Sequence, residues 1–305
     1  MTTVMMGPMY HSPVLLHESV NGLKIKKNGV YVDVTFGGGG HSKEILKHLG
    51  DDGKLFAFDQ DEDALENTID DDRFTLIGEN FRFVKQFLKF YGIRKVDGIL
   101  ADFGVSSHQF DKAERGFSTR FEADLDMRMS KRNALSANEV VNKYGYDDLR
   151  RVLFQYGDLR NANAMAKTIL EQRENTSIKT TEQLKLVLQR FLPKGREHKV
   201  LAQIYQAIRI EVNQEIAVIE EFLMQVPDLL DAGGRLSIIS YHSLEDRLVK
   251  RFIRAGQFEG EPEKDFFGNI EVPFKKVGPL IVPSKEEVKK NNRARSAKLR
   301  IAERI

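Results

Sequence analysis

The sequence predicts a doubly wound α/β sheet split by an all-helical segment, and three observations carry that prediction. From residue 29 to 102 short apolar runs alternate with helical stretches. Between about Val105 and Asn213 the strand-like runs stop and only helical patterns remain. From Gly233 the alternation resumes, in GGRLSIIS, and ends in AKLRIAER. Strands alternating with helices mark βαβ units and therefore a parallel sheet. The domains expected are a discontinuous sheet domain, residues 1–104 and 213–305, and a helical insertion, residues 105–212.

In chain order, the first half reads VYVDVTF, a helix after four glycines, KLFAFD, a helix from Asp61, FTLIGEN, a helix through Phe83 to Phe90, and VDGILAD. The insertion reads NALSANEVVNKYG, YDDLRRVLFQYG, NANAMAKTILEQR and TTEQLKLVLQRFL, each helical and each punctuated by Gly or Pro. LAQIYQAIRIEVNQEIAVIEEFL then predicts one long amphipathic helix, with Leu201, Ile204, Ile208, Val212, Ile216, Ile219 and Leu223 on its apolar face. A helix from Ser243 to Ala255 follows, then two short strands near Ile270 to Val282 and a helix opened by a capping box from Ser284 to Glu287. The Pro- and Gly-broken stretch from Gly256 to Pro273 reads as a mobile loop.

Composition removes several function classes. At 305 residues and 41% apolar content the chain can bury one large core or two smaller ones. MTTVMMGPMYHSP has neither a basic start nor a continuous apolar segment, so no signal peptide is expected. No run approaches the ~18 apolar residues that a membrane span needs. A cytoplasmic protein without a membrane partner is the expectation. Zero cysteines exclude disulfides, thiolate metal sites and cysteine nucleophiles, and the carboxylates have no recognisable metal-ligand spacing. A net charge of +2 argues little about nucleic acid. Arg293, Arg295, Lys298, Arg300 and Arg304 nevertheless form a basic patch late in the chain, either a phosphate contact or a solvated face.

YVDVTFGGGGHS places four glycines at the first strand-to-helix turn, where open parallel sheets bind nucleotides. A dinucleotide fingerprint needs a third glycine where this chain has Ser42 or Lys43, depending on the register. S-adenosylmethionine (SAM), a sulfonium cation without a pyrophosphate, calls instead for close backbone approach and acidic partners. Asp33, the glycine turn and Asp59 fit it, with Asp59 accepting the ribose hydroxyls. An acid at that position also suits nicotinamide cofactors, and the plain alternative for Asp59 followed by Asp61 is a helix cap with no other role. Asp102 ends the fourth strand before small polar residues and is expected to face the same cleft. ISYHSLEDR puts His242, Ser243, Glu245, Asp246 and Arg247 at another such turn, beyond what capping alone requires. On the long helix, Gln206, Arg209 and Asn213 form a stripe able to hydrogen-bond a base or phosphate, or a solvated face. Phe103, Phe110, Phe117 and Tyr241 lie in or beside these motifs, as stacking groups or as core.

HSPVLLHESV, DVTFGGGGHS, DFGVSSHQFD, ERGFS, LDMRM, QAIRIEVN, GGRLSIISYHSLEDR and NNRARSAKLRIAER occur in this order over nearly the whole chain. Together they resemble the bacterial ribosomal RNA small subunit methyltransferase H family. The resemblance implies a class I SAM-dependent methyltransferase, a Rossmann-like doubly wound sheet with an inserted all-helical domain. It implies methyl transfer from SAM to N4 of a cytidine in 16S rRNA, at the decoding region of the small subunit. By matching motif, the cofactor contacts it implies are Gly39, Gly40, His41, Asp59, Phe81, Asp102 and Gln109. The chain departs from the family pattern at His108 and Asn292, each in place of proline, and at His198 to Gln203 before the long helix.

A cysteine-free chain cannot form the C6 thiolate adduct that methylation of cytosine C5 requires, which leaves a nitrogen or oxygen acceptor. Asp102 and His242 are the expected catalytic groups. Arg209, Asn213, Ser243, Asp246, Arg293 and Arg295 are the expected substrate contacts. Two other classes stay open on the residues alone: a nicotinamide-dependent oxidoreductase and a noncatalytic RNA-binding ribosome-assembly factor.

Overall fold

Tyr31 and Val32, Leu55 and Phe56, and Ile99 and Leu100 are neighbours in sequence that enter opposite cores, because successive strand side chains point to opposite faces. A sheet covered on both faces needs such continuous apolar runs, which explains why its central strands lack polar alternation. The computed structural model describes residues 13–260 and 272–305. Its contacts divide the chain into two units, Met1–Gly104 with Ile216–Ile305, and Val105–Glu215.

The first unit runs α1 (Leu16–Gly22), β1 (Val30–Asp33), α2 (Gly40–His48), β2 (Lys54–Phe58), α3 (Glu62–Leu65), β3 (Phe74–Ile77), α4 (Val84–Phe90) and β4 (Val96–Asp102). The helical unit holds α5 (Ser107–Asp111), α6 (Ala137–Lys143), α7 (Tyr146–Gln155), α8 (Ala162–Asn175), α9 (Thr181–Val187) and α10 (Glu197–Asn213). Then come α11 (Glu215–Leu229), β5 (Leu230–Ser240), α12 (Ser243–Ala255), β6 (Phe274–Ile281), α13 (Lys285–Lys290) and β7 (Lys298–Arg304). The strand order is β3-β2-β1-β4-β5-β7-β6. The first five strands are parallel, and β7 enters antiparallel between β5 and β6. This is a Rossmann-like doubly wound sheet in which the order reverses beside β1.

One face of the sheet is covered by α1 and α2, through Val20, Leu23, Ile45 and Leu46. The other is covered by α4, α11 and α12, through Leu88, Phe222 and Phe252. Each such side chain, fully buried, contributes about 1.5–3 kcal/mol of transfer free energy. The helical unit has its own core around Val140, Leu153, Met165 and Ile208. No helix among the described residues is long and apolar enough to cross a membrane.

Two expectations need correction. The single long helix is two: α10 stops at Asn213, Gln214 adopts a left-handed φ of 52°, and α11 starts at Glu215. Its apolar stripe is shared out, Leu201, Ile204, Ile208 and Val212 entering the helical core and Ile219 and Leu223 the sheet core. The two short strands expected near Ile270 to Val282 are one described strand, β6; Ile270 and most of the expected loop lie outside the described residues.

Candidate functional site

Three strands end in aspartate. Asp33 closes β1, Asp59 follows β2 and Asp102 closes β4, so three carboxyl groups meet the carboxyl edge of the sheet. Their uses differ. Asp33 is fully buried; its Oδ2 accepts from the Ser42 hydroxyl at 2.7 Å and its Oδ1 from the Thr35 N–H at 3.1 Å. It ties the strand to α2, and burial raises its pKa.

Asp59 holds the glycine turn. Its Oδ2 accepts from the Gly37 N–H at 2.8 Å and its Oδ1 from the Asp61 N–H at 2.9 Å. Asn67 Nδ2 donates to the Gly37 carbonyl at 3.2 Å, and the Phe36 N–H to the Phe58 carbonyl at 2.9 Å. The turn is thus hydrogen-bonded at both flanks. Burial pushes the Asp59 pKa up to about 6, against the two backbone donors that lower it. Each oxygen has accepted a single hydrogen bond and retains a lone pair.

The glycines serve different neighbours. At Gly37, with φ 52°, an added Cβ would meet nothing within 4 Å, so this part of the turn borders open space. At Gly39, with φ 75°, it would sit 2.9 Å from the Phe36 ring, and at Gly40 it would sit 2.1 Å from Pro13 Cγ. A side chain at Gly39 or Gly40 would therefore collide with the protein's own atoms, whereas the turn at Gly37 borders open space.

Asp102 is held but not saturated. Its N–H donates to Thr35 Oγ1 at 2.7 Å, and its carboxylate accepts from the Tyr241 hydroxyl. Its Oδ2 lies 4.0 Å from His41 Nδ1, while Oδ1 is buried and has no hydrogen-bond partner among the described residues. Burial raises its pKa to about 6, and the nearby His41 pulls the other way. Burial and the Asp102 carboxylate together hold the Tyr241 hydroxyl well above its ordinary pKa. His41 is itself buried in the first turn of α2, with Nε2 3.2 Å from the Val14 carbonyl. Phe81 follows β3 and stacks on Phe103 at 5.9 Å, with Phe222 edge-on at 5.4 Å.

His242 is the N-cap of α12. Its Nδ1 accepts from the Glu245 N–H at 3.4 Å, and the fully buried Glu245 carboxylate accepts from the Tyr241 and His242 N–H groups at 2.8 and 3.2 Å. Glu245 Oε1 also lies 3.0 Å from His242 Nε2. The sequence presented Glu245 as one polar residue among five; the H-x-x-E spacing of a capping box was its signal. Ser243 is exposed at the first position of the helix. Asp246 is engaged by Arg300 at 2.8 Å and Lys298 at 3.2 Å. Burial opposes that ion pairing, but the two cations prevail and hold Asp246 below its ordinary pKa. Asp246 and Arg300, both expected at the RNA contact, thus neutralise each other within the fold. Arg304 donates to the Pro227 and Pro273 carbonyls. Of the basic patch, Arg295 stays exposed and Arg293 half-buried.

In the helical unit the expected stripe is spent internally. Asn213 Oδ1 accepts from the Met129 N–H at 2.7 Å, and its Nδ2 donates to the Met127 and Arg209 carbonyls at 2.8 and 2.9 Å. Arg209 grips Glu215 at 2.8 and 2.9 Å, and Gln206 donates to the Tyr156 carbonyl at 3.0 Å. Asn213, 5% exposed, is thus tied into the helical unit, and each polar atom of its amide has a partner there. Gln109 also belongs to this unit, where it forms a capping box with Ser106.

The sheet-edge residues fit SAM. Asp59 keeps acceptor capacity for hydroxyls, Gly37 borders open space, and the orphaned Asp102 Oδ1 offers negative charge to a cation.

A profile of the MraW methylase family matches residues 8–305. A protein of Flavobacterium johnsoniae named ribosomal RNA small subunit methyltransferase H is 68% identical over the full length of both chains. One of the same name from Christiangramia forsetii is 68% identical over 97% of this chain and 98% of its own. Among solved structures, an rRNA methylase from Streptococcus thermophilus is similar at a TM-score of 0.44 and 12% identity, covering 98% of this chain and 99% of that one. With the family profile extending over nearly all of its length and such relatives matching end to end, the chain belongs to the MraW methylase family and is a SAM-dependent methyltransferase.

Proposed function

We propose that this rRNA methyltransferase acts on N4 of a cytidine in 16S rRNA, at the decoding region of the small ribosomal subunit, in the cytoplasm. The observation that supports N4 most directly is Asp102: a half-buried carboxylate whose Oδ1 is buried without a hydrogen-bond partner among the described residues and whose pKa is raised to about 6, in a chain without cysteine. The relatives' shared name supports the small-subunit target. Membership of a methylase family leaves no support for the nicotinamide or noncatalytic readings.

Bound SAM supplies an electrophilic methyl group on a sulfonium. Asp59 and the turn at Gly37 hold the nucleoside, and Phe81 lines its base. The cytosine amino group is a weak nucleophile because its lone pair is delocalised into the ring, so it must be aligned and its hydrogen bonds accepted. Asp102 accepts one of them and takes the proton as positive charge develops on nitrogen. A pKa near 6 makes it a better base than an ordinary carboxylate while leaving it ionised at neutral pH. Tyr241 and His41 keep the carboxylate in place. His242 acts by fixing the start of α12 beside Tyr241. The target base leaves its stack, which single-stranded RNA makes cheapest.

The test is to incubate the protein with labelled SAM and small subunits lacking the modification, digest to nucleosides and identify the labelled species. N4-methylcytidine is the expected product, with subunits preferred to naked 16S rRNA. Label in 5-methylcytidine or in a ribose methyl group would overturn the assignment.

A further inference from the structure

Away from the strand-end aspartates, α12, β6 and β7 enclose a cavity of about 260 Å³, just below the ~300–1,000 Å³ typical of small-molecule sites. Ile253, Phe274, Pro279 and Leu280 give it an apolar lining. Lys250 and Arg254 of α12 and Lys276 of β6 stand around it, all three exposed. Among the described residues none of these three makes an ion pair. Arg300, also on the wall, is neutralised by Asp246.

The cavity is a product of local backbone design. Val277 pairs with Ile301 and Ile281 with Leu299, so β6 carries extra residues through Gly278, Pro279 and Leu280. Gly278 takes a φ of 66°, and Pro279 has no N–H to pair. Such a bulge lifts an edge strand off its partner and re-aims its side chains. β6 is that edge strand, and Leu280 on its bulge is 37% exposed. On α12 the basic residues Arg247, Lys250 and Arg254 recur at helical spacing, so they share one face.

A solvated basic face requires no cavity, and a neutral apolar ligand requires no cations. Both together match a polyanion that presents a flat apolar group, which is the chemistry of single-stranded nucleic acid. We infer that this cavity is a second contact for the rRNA substrate, taking one unstacked base against its apolar lining while Lys250, Arg254 and Lys276 bind the flanking phosphates. The inference rests on rRNA being the substrate and adds a binding site separate from the reacting centre.

The experiment compares wild type, the triple variant Lys250→Ala/Arg254→Ala/Lys276→Ala, and the cavity-filling Leu280→Trp, using small subunits that lack the modification. The triple variant should raise KM for subunits at least tenfold. It should also lower the slope of log KM against log salt by about 2, because each phosphate contact on a single strand contributes about 0.7. Leu280→Trp should raise KM with the slope unchanged. In both, kcat at saturating subunits and SAM affinity by calorimetry should match wild type. A photo-crosslinking amino acid in place of Leu280 should label rRNA. A folded triple variant with unaltered KM and slope, or crosslinks to ribosomal protein instead of RNA, would overturn the cavity's role while wild-type methyl transfer stands. Absence of methyl transfer to rRNA by the wild type would remove both readings.

Discussion

At the carboxyl edge of the sheet, Asp102 keeps a buried oxygen that no described residue satisfies, whereas on α10 every polar atom of the Asn213 amide has a partner within the helical unit. In sequence the two regions look alike, each an aligned set of polar residues beside apolar ones. They differ in where the backbone puts them. A strand that ends in a parallel sheet releases its last side chain into a crevice with no following strand residue to meet it. A helix stripe remains in reach of neighbouring loops, and loops carry unsatisfied N–H and C=O groups that claim it.

The comparison breaks most sharply at Asp102. Replacing it with Asn or Ala should lower turnover by about 10²- to 10⁴-fold, the range for a positioned general base, with SAM binding also weakened. Single-turnover methylation and calorimetry measure the two. Turnover near wild type in Asp102→Asn would place the proton acceptor elsewhere.

Asn213→Ala should have the opposite profile. It leaves the Met129 N–H and Met127 carbonyl unsatisfied in a buried place, which costs about 2–4 kcal/mol of stability. Denaturant unfolding of the helical unit should register that loss, while SAM affinity stays unchanged. A stable variant with weakened rRNA binding would make Asn213 a substrate contact instead.

The pH dependence sharpens the role of the aspartates. Asp59 and Asp102 both have pKa values raised to about 6, from an ordinary 3.8. Their charged forms attract a sulfonium and accept hydroxyl hydrogen bonds, so SAM affinity should fall as pH drops through 6. The loss at pH 5 relative to pH 7.5 should be about tenfold for each group that must ionise. Stability of the unliganded protein runs the other way. Between pH 3.8 and 6 the native state binds more protons than the unfolded chain, so these two groups favour folding below that window and lose that contribution as pH rises through it. Calorimetric titration and melting curves across pH 4–8 would test both signs.

The smallest effect is expected from Arg293→Ala/Arg295→Ala. If these two bind phosphates, the salt slope of substrate binding should fall by about 1.4, with SAM affinity unaltered. An unchanged slope would make this corner of the patch a solvated surface.

The fold was legible because its signals are local. Apolar runs such as ILAD and SIIS, the glycine turn and the aspartates at three strand ends follow from a few consecutive residues. What escaped depends on partners far away in the chain. Asn213 and Met129 are 84 residues apart, and nothing near Asn213 announces that its amide belongs to a distant loop. The stop at Gln214 was hidden for a related reason: the apolar period continues through it because two different cores share one stripe. Pro13 beside Gly40 and Asp246 beside Arg300 are likewise long-range neighbours that no local stretch of sequence announces.

The antiparallel insertion of β7 has a consequence for the order of events during synthesis. β1 to β4 emerge first, yet the sheet they begin is completed only when Lys298–Arg304 slides between β5 and β6. The helical unit, by contrast, is continuous from Val105 to Glu215 and is translated whole before β5 exists. Such non-local pairing closes late and slowly. A nascent chain therefore presents a finished helical unit tethered to an unfinished sheet. The strands that carry Asp33, Asp59 and Asp102 are thus made well before the strand that completes their sheet.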